Sequence, residues 1–272
     1  MDERCNINSL FGVKRALIGV VHLQALPGTP ANKLDIAAIS SIAVNEARAY
    51  EETGFHGVMI ENTHDRPYLK TIVGPEITAA MAAIGSEVRR AITLPLGVQV
   101  LAGANSCSLA VALACGASYV RVEGFVFAHV ADEGLIESSA GALLRYRRTI
   151  GGEHIRVFAD VKKKHSAHAL TEDLDIVETA KAAGFFLADG VIVTGVATGE
   201  PAAPYEVSAV SRAVSVATIV GSGITAENIH DYRDANAFIV GSSIKEDGLW
   251  SNPIDLGRGR ALVAAFSKLP SA

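Results

Sequence analysis

A closed (β/α)8 barrel is the fold class this sequence predicts, and three observations carry the prediction. Short β-branched runs recur eight times, each continuously apolar rather than alternating, as in parallel strands buried on both faces. Amphipathic stretches at helical spacing lie between them. Glycines punctuate the joins from helix to strand, where a left-handed cap is needed. Eight strand–helix units in 272 residues leave about 34 residues for each, a length that suits this barrel. An open doubly wound sheet would have no use for the eighth strand.

The strands are expected at Ala16–Val21, Gly57–Glu61, Leu96–Leu101, Tyr119–Glu123, Ile155–Asp160, Gly190–Thr194, Thr218–Val220 and Ala237–Val240. Ile36, Ile39, Ala43 and Ala47 mark the buried face of the first long helix. Ile77, Ala80, Met81, Ile84 and Val88 mark that of the next. Gly54, Gly116 and Gly184 sit where helices should end. Thr225-Ala-Glu-Asn228 offers a capping hydroxyl with an acid in the first turn. No linker or low-complexity block interrupts the series, so residues 1–272 read as one domain with its core at about 11–268.

Composition excludes several classes of function. Apolar residues are 49% and charged residues 19% of the chain, too apolar for disorder. The longest apolar run, Leu109–Cys115, is far short of the ~18–20 residues that span a bilayer. A net charge of -5 with no basic stripe argues against nucleic acid. Three cysteines, with no C-x-x-C pair, form no disulfide framework. Met1-Asp2-Glu3-Arg4 carries charge and no apolar region, so no targeting segment is read there and a cytoplasmic location is expected. Homo-oligomerisation is compatible with all of this.

In a barrel of this kind the working groups sit at the C-terminal ends of the strands. The last two strands give the most specific signal. Gly221-Ser222-Gly223 follows the seventh and opens a helix, and Gly241-Ser242-Ser243 follows the eighth. Glycine lets a phosphate approach backbone N–H groups, and a helix N-terminus adds partial positive charge. Paired turns at these positions form the recurrent phosphate site of such barrels. The competing explanation is two tight turns that need φ > 0 and bind nothing.

Asp160 and Lys162 lie two apart, so an extended strand points both the same way. A carboxylate beside an ammonium suits proton abstraction next to a carbonyl; desolvated, the lysine could instead form a Schiff base. A rim salt bridge with a solvated Lys162-Lys163-Lys164 loop is the alternative. Arg121 and Glu123 share a face of the fourth strand and need partners, either each other or Glu61 and Lys162. His22, Asn62 and Thr194, at three other strand ends, complete the substrate-binding candidates. Glu61 and Asn62, with His22, His165 or His168, could hold a divalent cation, and FMN could place its phosphate in the same cradle. Neither has a specific motif, so no metal ligands are assigned. The connection Gly124–Ser139 is long for its place and is expected to fold over the mouth.

Several segments together resemble the BtpA/SgcQ family. They are Gly19-Val-Val-His22-Leu-Gln-Ala-Leu-Pro27-Gly28, Glu61-Asn62, Leu94-Pro-Leu-Gly-Val98, Asp132-Glu-Gly-Leu-Ile-Glu137, Leu144-Arg-Tyr-Arg147, Phe158-Ala-Asp160-Val-Lys162, Val193-Thr-Gly195 and Val220-Gly-Ser-Gly223. The segments 124–132 and 162–168 look closest to the eukaryotic branch. In place of a charged pair after the third strand stands Leu101-Ala-Gly-Ala-Asn105, and Glu123 stands where Asn is commoner. The resemblance implies a barrel of the ribulose-phosphate-binding kind. It implies two contexts, sugar-phosphate metabolism and photosystem I accumulation, and no particular reaction. From the phosphate turns and the polar strand ends the expected function is an enzyme acting on a small phosphorylated metabolite of sugar-phosphate type, lyase or isomerase rather than redox because no dinucleotide fingerprint appears. The alternative is a non-catalytic assembly factor for a membrane-protein complex, which predicts an exposed apolar patch on the outer helices.

Overall fold

A computed structural model describes residues 7–195 and 199–270. Eight parallel strands close into a barrel: β1 (Ala16–His22), β2 (Gly57–Glu61), β3 (Leu96–Gln99), β4 (Tyr119–Val122), β7 (Arg156–Val161), β9 (Gly190–Val193), β10 (Ala217–Val220) and β11 (Ala237–Val240). Each pairs with its neighbours in chain order, and β1 pairs with β11 to close the ring. The eight expected strands are all present.

Strand parity divides the apolar residues into two layers. Leu17, Val58, Val98, Val120, Val157, Val191 and Phe238 point outward under the helices. Ala16, Ile18, Val20, Met59, Tyr119, Phe158, Ile192, Ile219 and Ile239 fill the interior. Burying each larger side chain contributes ~1.5–3 kcal/mol, so the barrel is a packed plug beneath a polar mouth. A small helix, α1 (Ile7–Phe11), closes the bottom, where Phe11 packs edge-on against Tyr119.

The outer helices are α2 (Ile36–Thr53), α3 (Pro75–Ala91), α4 (Asn105–Cys115), α5 (Ala140–Thr149), α6 (Ile176–Phe185), α7 (Pro204–Ala213) and α8 (Leu256–Phe266). Gly54 and Gly116 adopt the left-handed cap expected of them. Gly184 does not: α6 continues through Phe185, and the left-handed turn falls on Leu187. Phe185, Phe186 and Leu187 are exposed there, at the foot of the barrel.

Two departures from the regular unit concern the mouth. After β10 there is no α-helix, only a 3-10 turn at Ile229–Asp231. Thr225 Oγ1 still accepts from the Glu227 and Asn228 N–H groups, but that cap opens a turn. The 124–139 connection is a hairpin rather than an open loop. Its strands β5 (Ala128–Ala131) and β6 (Gly134–Glu137) pair antiparallel, with the two-residue β8 (Ser166–Ala167) added to β5.

Candidate active site at the barrel mouth

Inward-facing residues at the strand tops alternate in phase with the plug below, and their chemistry divides the mouth in two. From β1 to β7 they are His22, Glu61, Gln99, Arg121, Glu123 and Asp160; from β9 to β11 they are Thr194, Gly221 and Gly241. On the glycine side there is no room for more. A Cβ on Gly221 would lie 2.5 Å from Ile192 Cγ2 and 2.9 Å from Thr194 Cγ2. One on Gly241 would lie 2.9 Å from the His22 ring.

Two chambers open above this layer. The larger, ≈ 520 Å³, has one wall formed by Gly221–Thr225 and Gly241–Ile244, with Arg258 at its edge. The smaller, ≈ 320 Å³, is lined by Gln99, Glu123 and Trp250, and by Asp132 and Glu133 of the hairpin. His22, Glu61, Arg121 and Lys164 line both and so stand between them.

The charged arc is internally neutralised at its floor. Arg121 donates from Nε and Nη2 to the two carboxylate oxygens of Asp160, at 2.8 and 2.9 Å. Their side chains are 5% and 1% exposed, so this is a desolvated bidentate pair. Burial disfavours the guanidinium charge, but Asp160, helped by Glu61 and Glu123, outweighs it and keeps Arg121 protonated. Glu123 takes a different partner. Lys163 Nζ lies 3.1 Å from Glu123 Oε2 and 3.5 Å from Glu133 Oε2, tying the barrel to the hairpin. Burial pushes the Glu123 carboxyl upward against the pull of Lys163. Gln99 Nε2 also donates to Glu123 Oε1 at 3.1 Å.

His22 is held neutral. Its Nδ1 lies 2.8 Å from the Trp250 carbonyl, which can only accept, so Nδ1 carries the proton and Nε2 keeps its lone pair. Burial, then the nearby Lys245 charge, lowers its pKa to about 3. Lys245, directly after the second turn, is buried and paired with Glu46 of α2, which pins that turn to the helix layer.

Four candidates do not take the roles that spacing suggested. Strand β7 stops at Val161 and Lys162 adopts φ +50°, so it leaves the face it would share with Asp160. Its Nζ donates to the Leu174 carbonyl at 2.6 Å, outside both chambers. Asp160 itself has both oxygens committed to Arg121. Asn62 is a brace: Nδ2 donates to Asp65 and Oδ1 accepts from the Leu101 N–H at 2.7 Å. Thr194 packs beneath Gly221 and lines neither chamber. The expected pairing of Arg121 with Glu123, or of either with Glu61 or Lys162, gives way to Arg121–Asp160 and Glu123–Lys163.

Lys164 and Arg258 are the residues the sequence reading missed. Lys164 lies beyond the end of β7 and the kink at Lys162, where strand parity no longer applies, so spacing gives no signal for it. Burial lowers its pKa, as does the Arg121 charge, against the opposing pull of Glu61, Asp160 and Glu123. Among the described residues no hydrogen-bond or ion-pair partner engages its Nζ. Arg258, in the first turn of α8, reaches the Ser243 carbonyl at 3.4 Å; helix geometry after the second turn, not local sequence, brings it there. The segment 196–198, part of the small loop after the sixth strand, lies outside the described residues. Among those described, no three His, Cys, Asp or Glu side chains converge as metal ligands, and no helix is long and apolar enough to cross a membrane.

Fold and mouth together define a single-domain (β/α)8 barrel with a charged arc facing a glycine arc. The BtpA family profile matches residues 13–268, and the chain belongs to that family. It is 44% identical over 267 residues to the Caenorhabditis elegans protein F13E9.13, whose name carries the word mitochondrial, covering 95% of each chain. It is 33% identical to the Photosystem I biogenesis protein BtpA of Synechocystis over 262 residues, 95% of this chain and 90% of that one. Among solved structures, phosphoribosyl anthranilate isomerase from Thermus thermophilus superposes with a TM-score of 0.57 at 15% identity, covering 94% of this chain and 100% of that one. At that identity the likeness is one of fold.

Proposed function

We propose that the protein is an enzyme acting on a small phosphorylated metabolite of sugar-phosphate type, by lyase or isomerase chemistry. The observation that carries this reading is that the two turns, 221–223 and 241–243, line one chamber together with His22, Glu61, Arg121 and Lys164. The turns would receive the phosphate on backbone N–H groups, with Arg258 lining the same chamber. Neutral His22 Nε2 and the Glu61 carboxylate would accept protons, and Arg121, fixed by Asp160, would stabilise developing negative charge. Asp160, expected to act on substrate itself, takes the role of holding Arg121. Glu123 and Lys163 would orient the far end of the substrate and keep the hairpin down.

The test is ligand-induced stabilisation. Glycerol 3-phosphate, ribose 5-phosphate and inorganic phosphate should raise the melting temperature with concentration, whereas glycerol and ribose should not. A melting temperature indifferent to every phosphorylated compound would remove the reading.

A second reading, an assembly factor for a membrane-protein complex, is favoured by the exposed Phe185-Phe186-Leu187 at the foot of the barrel and by the name of the Synechocystis relative. It gives the charged mouth no task, and it predicts that Phe185→Ser changes complex assembly while leaving phosphate binding intact. We take a reducing aqueous compartment, cytoplasm or mitochondrion, as the setting; the name of the worm relative widens the cytoplasmic expectation.

A further inference from the structure

Among the described residues, one lysine of the mouth has no hydrogen-bond or ion-pair partner. Arg121 is committed to Asp160, Lys163 to Glu123 and Glu133, Lys245 to Glu46, and Lys162 to a carbonyl. Lys164 alone among these faces both chambers with a free Nζ among the described residues. It lines the larger chamber together with the glycine turns, Glu61 and Arg121. We infer that Lys164 is a covalent catalytic residue that forms a Schiff base with a phosphorylated aldehyde or ketone. This rests on the phosphate reading above, which supplies the anchor for the other end of the substrate.

The chemistry balances without a further reagent. The Lys164 ammonium first gives a proton to the Glu61 carboxylate. The freed nitrogen lone pair forms a C–N bond to the carbonyl carbon while the C=O π pair moves to oxygen. That oxygen takes the second proton released by the nitrogen. Glu61 then returns its proton to the hydroxyl, which leaves as water as the nitrogen pair closes the C=N bond. Ammonium and carbonyl thus become iminium and water. The iminium withdraws electrons from the adjacent carbon, whose proton can pass to His22 Nε2, the neutral acceptor in the same mouth. Burial and the Arg121 charge both favour the neutral amine this attack requires.

The test is reductive trapping. The full-length protein is incubated with dihydroxyacetone phosphate and sodium cyanoborohydride, and peptides are mapped by mass spectrometry. A single reduced adduct is expected on Lys164, suppressed by excess glycerol 3-phosphate. It should persist in Lys162→Arg and disappear in Lys164→Arg, which keeps the positive charge but cannot form an imine. Lys164→Arg should also retain the melting-temperature rise with glycerol 3-phosphate, showing a folded site. An adduct of equal yield in Lys164→Arg, or labelling spread over surface lysines, overturns the assignment. Stabilisation by glycerol 3-phosphate with no adduct overturns it too and leaves the phosphate reading standing. Neither stabilisation nor adduct removes both.

Discussion

The two halves of the barrel mouth are built from the same strand parity and end in opposite chemistries. Between β1 and β7 the inward tops carry charge, and that charge is spent largely on itself, in Arg121–Asp160 and Glu123–Lys163. Between β9 and β11 the inward tops are reduced to Thr194 and glycine, because a Cβ on Gly221 or Gly241 would collide with its neighbours. One arc is rigid through paired charges; the other is open because side chains are absent. A ligand lying across the mouth would meet backbone N–H groups on one side and fixed side chains on the other. Fixed dipoles and charges of this kind are what a preorganised site needs.

Four experiments break or sharpen that contrast. The largest effect should come from Arg121→Leu, which leaves the Asp160 carboxylate buried and unpaired; a loss of ~3–5 kcal/mol in chemical denaturation is expected. A loss under ~1 kcal/mol would mean that the charged arc does not hold itself together.

The next concerns His22. Its pKa is about 3 in the folded protein against 6.5 for the unfolded chain. Between those values the unfolded chain binds more protons, so this contribution is complete above pH 6.5 and declines as the pH falls toward 3. From pH 6.5 to 4.5 wild type should lose about 2–3 kcal/mol more than His22→Gln does. Parallel curves for the two proteins would show His22 to be freely solvated.

On the glycine arc, Ser242→Asp sets a carboxylate at the anion wall. Affinity for glycerol 3-phosphate should drop at least ~30-fold, about 2 kcal/mol, with little change in melting temperature. Unchanged binding would empty the glycine arc of its role. The smallest effect is expected at the hairpin. Glu133→Gln removes one of two acids on Lys163 and should cost about 1 kcal/mol or less globally. Amide exchange should quicken across 128–137 and stay unchanged in the barrel strands. Uniform exchange would show that Lys163 does not tie the hairpin down.

The site is partly legible from spacing, and the departures at Lys162 and Lys164 share one cause. Period-two parity holds only while the chain stays extended, so it correctly aims Glu61, Arg121 and Asp160 inward. It fails at Lys162, where the strand has ended and φ turns positive. The same failure hid Lys164, which returns to the mouth beyond the kink. Asn62 was misread for another reason: an amide at a strand end serves equally as ligand or as brace, and only the neighbouring Leu101 N–H and Asp65 decide. The missing helix after β10 could not be read from its cap, since Thr225 makes the same hydrogen bonds at the start of a 3-10 turn.

The amino-acid sequence by itself determines the barrel, its strand count, its layered core and the two glycine turns. Each follows from local periodicity, or from a residue whose backbone freedom is unique. Only the tertiary structure decides which charges pair, which mouth lysine has no partner among the described residues and which tautomer His22 holds. Those outcomes depend on groups brought within 3 Å of one another from distant parts of the chain, in an interior where an unpaired charge is costly.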